Sequence, residues 1–192
     1  LDLEAVVKVA KKHKVMSIID ATLATPYNIR PLDLGVDVVI HSATKYLGGH
    51  NDLLAGVALG SDKLMNDAYR MQRMIGATPG PLTCFLLERG LKTLALRMRA
   101  HEAAAFALAE YLSSHPRVTR LLYPLLPSHP DHGVARRLLS NGGGMLTFDV
   151  AGGDAAALRF ADSMRLARQA TSLGGVESLV SLPFNTSQAG FT

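Results

Sequence analysis

Two apolar runs in this sequence end on groups that could carry chemistry. The run "VMSIID" closes on Asp20, and "VDVVI" leads into "HSATKY", which holds Ser42, Thr44 and Lys45. An amine that leaves a buried strand is partly withdrawn from water, so it loses its proton more readily and can condense with a carbonyl group. Neighbouring hydroxyls suit a phosphate, and a buried carboxylate can keep a pyridine nitrogen protonated so that the ring accepts electrons.

An acid, hydroxyls and a lysine together describe a pyridoxal 5'-phosphate (PLP) site. From the residues alone, the competing interpretation is that Lys45 is an ordinary solvated surface lysine. The positions of the predicted strands bear on that choice, because a cofactor site needs Asp20 and Lys45 to lie at the same edge of a sheet.

The pattern of elements predicts such an arrangement. Apolar residues at helical spacing, with lysines on the other face, predict a helix over Leu3 to His13. Short buried strands are predicted in "VMSIID", "VDVVIHSAT" and "LLAGVALG". Alternating helices and strands favour an α/β layer with a mainly parallel sheet, which binds ligands at the carboxyl ends of its strands. Asp20 and the segment Ser42 to Lys45 both lie at such ends.

The second half of the chain has a different character. A helical pattern runs from about Asp62 to Leu112, with a break at "GATPGP", and its last part, from Cys84 on, is predicted as one long helix. Strands are then predicted in "VTRLLYP" and "GGMLTFDV", followed by a helix capped by Asp154. We therefore predict two domains, residues 1–112 and 113–192, with the long helix as connector.

Composition narrows the class of protein. The 192 residues are 48% hydrophobic and 19% charged, as in a globular protein with a real core. The net charge of +4 comes from scattered Lys and Arg, so we expect no nucleic-acid partner, and no apolar window is long enough for a membrane span. A single cysteine, Cys84, suits a reducing compartment, and we expect a cytoplasmic location. Because a helical pattern already runs at Leu1, we interpret the sequence as an internal piece of a longer polypeptide.

Other candidate residues give weaker evidence for a chemical role. His129 and His132 lie three apart in "HPDH", but the proline between them breaks a helix and no third ligand is near, so we predict no metal site. Cys84 has no obvious activating neighbour and is interpreted as a helix-packing residue. The same packing role is predicted for methionines at helical spacing, among them Met65, Met71 and Met74.

The segment "DATLATPYNIRPLDLGVDVVIHSATKYLGGHND" closely resembles the PLP attachment region of the Cys/Met-metabolism family. That family holds cystathionine γ-synthases, cystathionine γ- and β-lyases, methionine γ-lyases and O-acetylhomoserine sulfhydrylases. The resemblance continues through "LLERGLKTLALRMRAH" and "SLGGVESLVSLP". It implies the α/β fold type I of PLP-dependent transferases, aspartate-aminotransferase-like. Residues 1–112 would be the C-terminal part of the large PLP-binding domain, and 113–192 most of a small α+β domain.

The resemblance also implies roles for individual residues. Lys45 would attach the PLP and move protons between substrate carbons, which makes it the catalytic residue. Asp20 would pair with the pyridinium nitrogen, and Thr22 would lie against the ring. Ser42 and Thr44 would bind the phosphate.

Ser172 in "SLGG" lies where the family contacts the substrate carboxylate, although it could equally be a turn hydroxyl beside Gly174. Other parts of the family's site would precede Leu1 or follow Thr192, so we expect the 192 residues alone to be inactive. The resemblance further implies a homotetramer, a dimer of dimers, and a small-molecule amino-acid substrate.

The expected activity is γ- or β-elimination or replacement on cystathionine, methionine or O-acylhomoserine substrates. The segment "SLGGVESL" favours the cystathionine γ-synthase and γ-lyase branch. Methionine γ-lyase, O-acetylhomoserine sulfhydrylase and cystathionine β-lyase are the alternatives within the family. An aminotransferase of the same fold, or a non-catalytic assembly or nucleic-acid-binding piece, are the alternatives outside it.

Overall fold

The computed structural model describes residues 1–186. The helices of this part are α1 (Leu3–His13), α2 (Thr25–Asn28), α3 (Asp62–Ile75), α4 (Pro81–Leu91), α5 (Leu94–Ser113), α6 (His132–Leu138) and α7 (Gly153–Asp162). The strands are β1 (Ile18–Asp20), β2 (Val38–Ser42), β3 (Gly56–Gly60), β4 (Val118–Leu122), β5 (Thr147–Val150), β6 (Arg168–Gln169) and β7 (Leu179–Val180). Short 3-10 helices cover Pro31–Leu34 and Pro183–Asn185.

Helix α1 has the predicted bounds because both of its ends are marked locally. The Asp2 side chain caps the start by accepting a hydrogen bond from the Ala5 N–H at 3.3 Å. Lys14 ends the helix in the left-handed region, with a φ of 54°. The helix buries Val7 in a small core with Val36 and Val39, which places α1 against strand β2.

The first sheet has the order β1-β2-β3. Strands β1 and β2 are parallel, with Asp20 opposite Ile40, and β3 is antiparallel to β2, with Ser42 opposite Gly56. One of the two strand pairs is therefore parallel, as predicted, and the other is antiparallel. The chain returns from β2 to β3 through turns without the crossover helix that usually joins parallel strands.

Strand β1 is also less buried than its sequence predicts. It is an edge strand of the described sheet, and Ile18 is 56% exposed. Strand β2 lies between two partners and is largely buried, as expected for the run "VDVVI". The difference arises because apolar composition alone does not say which strand is central.

The predicted long helix is two helices. It breaks at Lys92 and Thr93, between α4 and α5. Helix α5 then packs its first half, through Leu94 and Met98, against the residues that follow β2. Its second half packs Ala109 against Tyr123 in a separate core, so one helix joins both halves of the chain.

After α5, which ends at Ser113, β4 and β5 form an antiparallel pair and α7 packs on β5. These strands lie where they were predicted, but the cap of α7 does not. Gly152, with a φ of 101°, occupies the N-cap position, and Asp154 lies inside the first turn. Its carboxylate still faces the positive end of the helix dipole. The division into domains 1–112 and 113–192 stays a prediction, and residues 187–192 lie outside the described part.

Several residues predicted to pack inside helices are exposed instead. Cys84 is exposed, and the side chains of Met71 and Met74 are 56% and 82% exposed. These three side chains therefore do not pack within the described chain, because helical spacing identifies a common face but not what covers it. Among residues 1–186, no helix is long and apolar enough to cross a membrane.

Candidate functional site

Lys45 lies in the turn that directly follows β2. Its N–H donates to the Ser42 carbonyl at 3.1 Å, and its own carbonyl accepts from the Gly49 N–H at 2.7 Å. The Gly48 N–H closes the same turn onto the Ala43 carbonyl at 2.8 Å. The half-buried lysine is therefore held by backbone hydrogen bonds on both sides, at the carboxyl end of the central strand.

Ser172 is the side chain that the Lys45 amine contacts. The amine donates a hydrogen bond of 3.1 Å to the Ser172 hydroxyl oxygen. Two residues further on, Gly174 has a φ of +84° and lies directly on the Lys45–Tyr46 peptide. A Cβ at Gly174 would come within 2.8 Å of the Lys45 carbonyl carbon. The segment "SLGG" thus packs onto the lysine turn, which gives Ser172 a partner other than the predicted substrate carboxylate.

Thr22 links the ends of the two parallel strands. Its hydroxyl oxygen accepts from the Ser42 N–H at 2.7 Å, and its N–H donates to the Asp20 carboxylate at 2.9 Å. The Thr22 hydroxyl and then its N–H hold the pKa of Asp20 below its ordinary value, with a smaller contribution from nearby His41. Asp20 is therefore a firmly ionised carboxylate at neutral pH.

Asp20 is exposed in the described chain, which corrects the expectation of a buried carboxylate. The cause is the edge position of β1, whose outer side has no neighbouring strand among residues 1–186. Its ionisation consequently depends on hydrogen bonds from Thr22 rather than on enclosure.

His41, which directly precedes Ser42 on β2, is a buried polar residue that the sequence analysis did not identify. It is only 5% exposed, and its Nδ1 atom has no hydrogen-bond partner among the described residues. Burial lowers the pKa of the imidazole, while the Asp20 carboxylate acts in the opposite direction. Its place in the sequence could have identified His41, because a histidine inside the buried run before "SATK" must face the core or the site.

The two predicted phosphate ligands lie on either side of Ala43. The Thr44 hydroxyl accepts from the Ala55 N–H at 3.2 Å, and its distance to the Ala55 carbonyl, 3.5 Å, is at the outer limit for a hydrogen bond. The Thr44 proton can therefore be donated to an anion without loss of a strong contact. The Ser42 side chain is half-buried at the end of β2.

These groups fit PLP by their chemistry. The carboxyl ends of β1 and β2 bring together an amine that is hydrogen-bonded to a hydroxyl, an ionised carboxylate and two further hydroxyls. These groups belong to Lys45, Asp20, Ser42 and Thr44. Such a set can bind an aldehyde carbon, a ring nitrogen and a phosphate. The roles themselves stay predictions.

Two other features lie away from these strand ends. A cavity of about 480 Å³ opens between α5, β5 and α7, lined by Tyr111, Phe148 and Phe160 among others, and no predicted site residue borders it. Within residues 1–186, no three His, Cys, Asp or Glu side chains are grouped so that they could hold a metal ion.

Solved structures show the same architecture. The chain superposes on cystathionine gamma synthase from Xanthomonas oryzae pv. oryzae, solved in complex with cystathionine, with a TM-score of 0.96 and 38% identity. The match covers 100% of this chain and 50% of that one. Cystathionine gamma-lyase from Lactobacillus plantarum, complexed with L-serine, matches with a TM-score of 0.92 and 41% identity over 96% of this chain and 49% of that chain. The fold is thus the α/β fold type I of PLP-dependent transferases.

Sequence relatives agree with this fold. Cystathionine gamma-synthase 1 of Arabidopsis thaliana is 43% identical over 95% of this chain and 32% of its own length. Cystathionine gamma-lyase of Dictyostelium discoideum is 45% identical, with coverages of 95% and 47%. The sequence also matches the family described as Cys/Met metabolism PLP-dependent enzyme over residues 1–192. The chain belongs to this family, and it spans a third to a half of the length of these relatives.

Proposed function

We propose that the protein is a PLP-dependent enzyme of sulfur amino-acid metabolism. It catalyses γ- or β-elimination or replacement on cystathionine, methionine or O-acylhomoserine substrates. The observation that carries the proposal is the Lys45–Ser172 hydrogen bond at the edge where Thr22 keeps Asp20 ionised. Membership of the family supports the same reaction class.

Each residue has a distinct task in this proposal. PLP, when bound, supplies an electron sink for the negative charge that develops at the substrate α-carbon. Asp20 keeps a proton on the ring nitrogen, and Ser42 and Thr44 donate hydrogen bonds to the phosphate. Lys45 takes the α-proton and returns it to another substrate carbon, while Ser172 orients its amine. A positioned base of this kind contributes roughly 10²–10⁴-fold to the rate.

The reaction within the family is the finer part of the proposal. We favour the cystathionine γ-synthase and γ-lyase branch because of "SLGGVESL", and relatives from both branches have similar identities of 43% and 45%. L-methionine gamma-lyase of Pseudomonas putida is 44% identical, so overall identity does not discriminate between the reactions. Product analysis has to decide.

The test uses the complete protein loaded with PLP. It is incubated separately with cystathionine, with methionine, and with O-acetylhomoserine plus cysteine, and the products are identified by mass spectrometry. We expect Lys45→Ala to lose both turnover and the yellow absorption of the lysine-bound cofactor, whereas Lys12→Ala, on an exposed face of α1, retains both. A Lys45→Ala protein that kept both signals, or transfer of the amino group to an added keto acid, contradicts the proposal.

We extend the proposal to assembly and location. Helices α3 and α4 expose several large apolar side chains, and such surface is expected to be covered in an oligomer: Tyr69, Met71, Met74, Ile75, Leu82 and Phe85. A homotetramer, a dimer of dimers, is the proposed state, and sedimentation analysis of the complete protein tests it. A cytoplasmic location is proposed from the single cysteine, and fractionation tests it against an organelle location such as the chloroplast of one relative.

A further inference from the structure

Arg97 is a half-buried cation with an unusual set of hydrogen-bond partners. Its Nη1 donates to the Tyr46 carbonyl at 2.7 Å, and its Nη2 donates to the Gly90 carbonyl at 2.8 Å. A longer contact of 3.4 Å joins Nη2 to the Leu47 carbonyl, and Nε donates to the Thr93 hydroxyl at 3.1 Å. One guanidinium thus binds the two carbonyls that directly follow Lys45.

Within the described chain, the Arg97 guanidinium donates to three backbone carbonyls and to one hydroxyl. Among residues 1–186, no carboxylate forms an ion pair with it. Burial lowers the pKa of the guanidinium, which nevertheless stays protonated at neutral pH. Removing a cation from water costs free energy, so a partly buried arginine has to be stabilised by the contacts that it makes. The planar guanidinium makes such contacts through a fork of donors that an ammonium group lacks.

Close packing leaves the lysine turn little freedom to move on this side. A Cβ at Gly49 would collide with the Arg97 guanidinium, and a Cβ at Gly90 would collide with the Gly48 carbonyl oxygen. Behind them, Tyr46 and Leu47 are buried against Met98, one residue beyond Arg97 on α5. The guanidinium therefore lies between α4, α5 and the lysine turn and contacts all three.

We propose that Arg97 is a positioning residue for Lys45. By fixing the Tyr46 and Leu47 carbonyls, it sets the orientation of the peptide planes after Lys45 and so directs the Lys45 amine toward Ser172. Ser172 and Gly174 restrain the turn on the other side. This role rests on the proposed function for its effect on turnover, but its effect on the attached cofactor can be measured without any substrate.

The experiment compares Arg97→Lys with Arg99→Lys in the complete protein. Both changes keep the charge and lie on α5, but Arg99 is exposed and, within residues 1–186, donates no side-chain hydrogen bond to the lysine turn. For Arg97→Lys we expect kcat to fall roughly tenfold to a hundredfold, since a small misplacement of a reacting group has effects of this size, with KM nearly unchanged. The circular dichroism of the lysine-bound cofactor band and the rate of cofactor attachment to the apoprotein should change as well.

Chemical rescue gives a second arm. In Arg97→Ala, free ethylguanidinium should restore part of the cofactor dichroism and turnover, whereas ethylammonium should not. If Arg97→Lys has the same cofactor dichroism, attachment rate and kcat as the wild type, the proposal is wrong. A lower melting temperature with unchanged kcat per bound cofactor also overturns it, because that result describes structural support alone. If the wild type lacks turnover on sulfur amino acids, the proposed function fails, and the dichroism and attachment rate still decide the role of Arg97.

Discussion

The Lys45 amine and the Ser172 hydroxyl are 3.1 Å apart, although 127 residues separate them in the sequence. The contact joins the turn after the central strand to the segment "SLGG" near the end of the described chain. A hydroxyl that accepts from an amine restrains its direction, and an amine that moves protons must be aimed. This pair therefore leads to the first prediction.

Ser172→Ala should lower kcat while the cofactor still binds. An intramolecular hydrogen bond contributes about 0.5–1.5 kcal/mol, and each ~1.36 kcal/mol corresponds to a tenfold change in rate. We expect a loss of roughly two- to tenfold, measured by steady-state kinetics on the complete protein. Ser178→Ala, an exposed serine six residues on, is the control and should match the wild type. Equal kcat in both variants would show that the contact has no role in turnover.

Thr22→Val should shift the acidic side of the pH profile. Thr22 lowers the pKa of Asp20, so the carboxylate stays ionised as the pH falls, and loss of the hydroxyl lets that pKa rise toward its ordinary value. Activity and cofactor absorption should then be lost at a higher pH than in the wild type. The sign follows because a depressed pKa extends the ionised form downward in pH.

Thr22→Ser is the matched control, since it keeps the hydroxyl that accepts from the Ser42 N–H. Its acidic limb should coincide with that of the wild type. An identical limb in Thr22→Val would mean that Asp20 is not the group that titrates there.

Gly174→Ala should disrupt the site through a steric clash with the lysine turn. The added Cβ would lie 2.5 Å from the Tyr46 nitrogen, and the φ of +84° disfavours any side chain. Gly153→Ala is the control, because its φ is +62° but nothing lies within 4 Å of the added carbon. Backbone strain alone should cost the control about 1–2 kcal/mol. Gly174→Ala should lose more stability, measured by chemical denaturation, and should bind PLP more weakly.

Tyr123→Phe should destabilise the core beneath α5. Tyr123 is fully buried, its hydroxyl donates to the Gly143 carbonyl at 3.0 Å, and burial raises the pKa of its phenol to about 12. Removal leaves that carbonyl without this donor, at a cost of about 1–3 kcal/mol. Thermal denaturation should show a lower melting temperature than in Tyr111→Phe, whose ring is 64% exposed. Equal melting temperatures would contradict this account.

Local patterns predicted a large part of the fold. Helix α1 was predicted with its observed bounds, because its apolar stripe is a local signal. The strands around Asp20 and before Lys45 were likewise predicted from short apolar runs. Sheet order, the antiparallel β3 and the break at Thr93 were not, because pairing partners and helix ends at tertiary contacts are absent from any single window.

The sequence by itself determined the family to which the chain belongs, through "HSATKY" after a buried run and an aspartate at the end of the preceding strand. Only the tertiary structure decided how these groups are held. Thr22 bridges Asp20 and Ser42, Ser172 reaches Lys45, and Arg97 binds the carbonyls behind it. Apart from the local contact between Thr22 and Asp20, these contacts join residues that are distant along the chain. The free energy of burying the surfaces between them, rather than any local preference, brings them together.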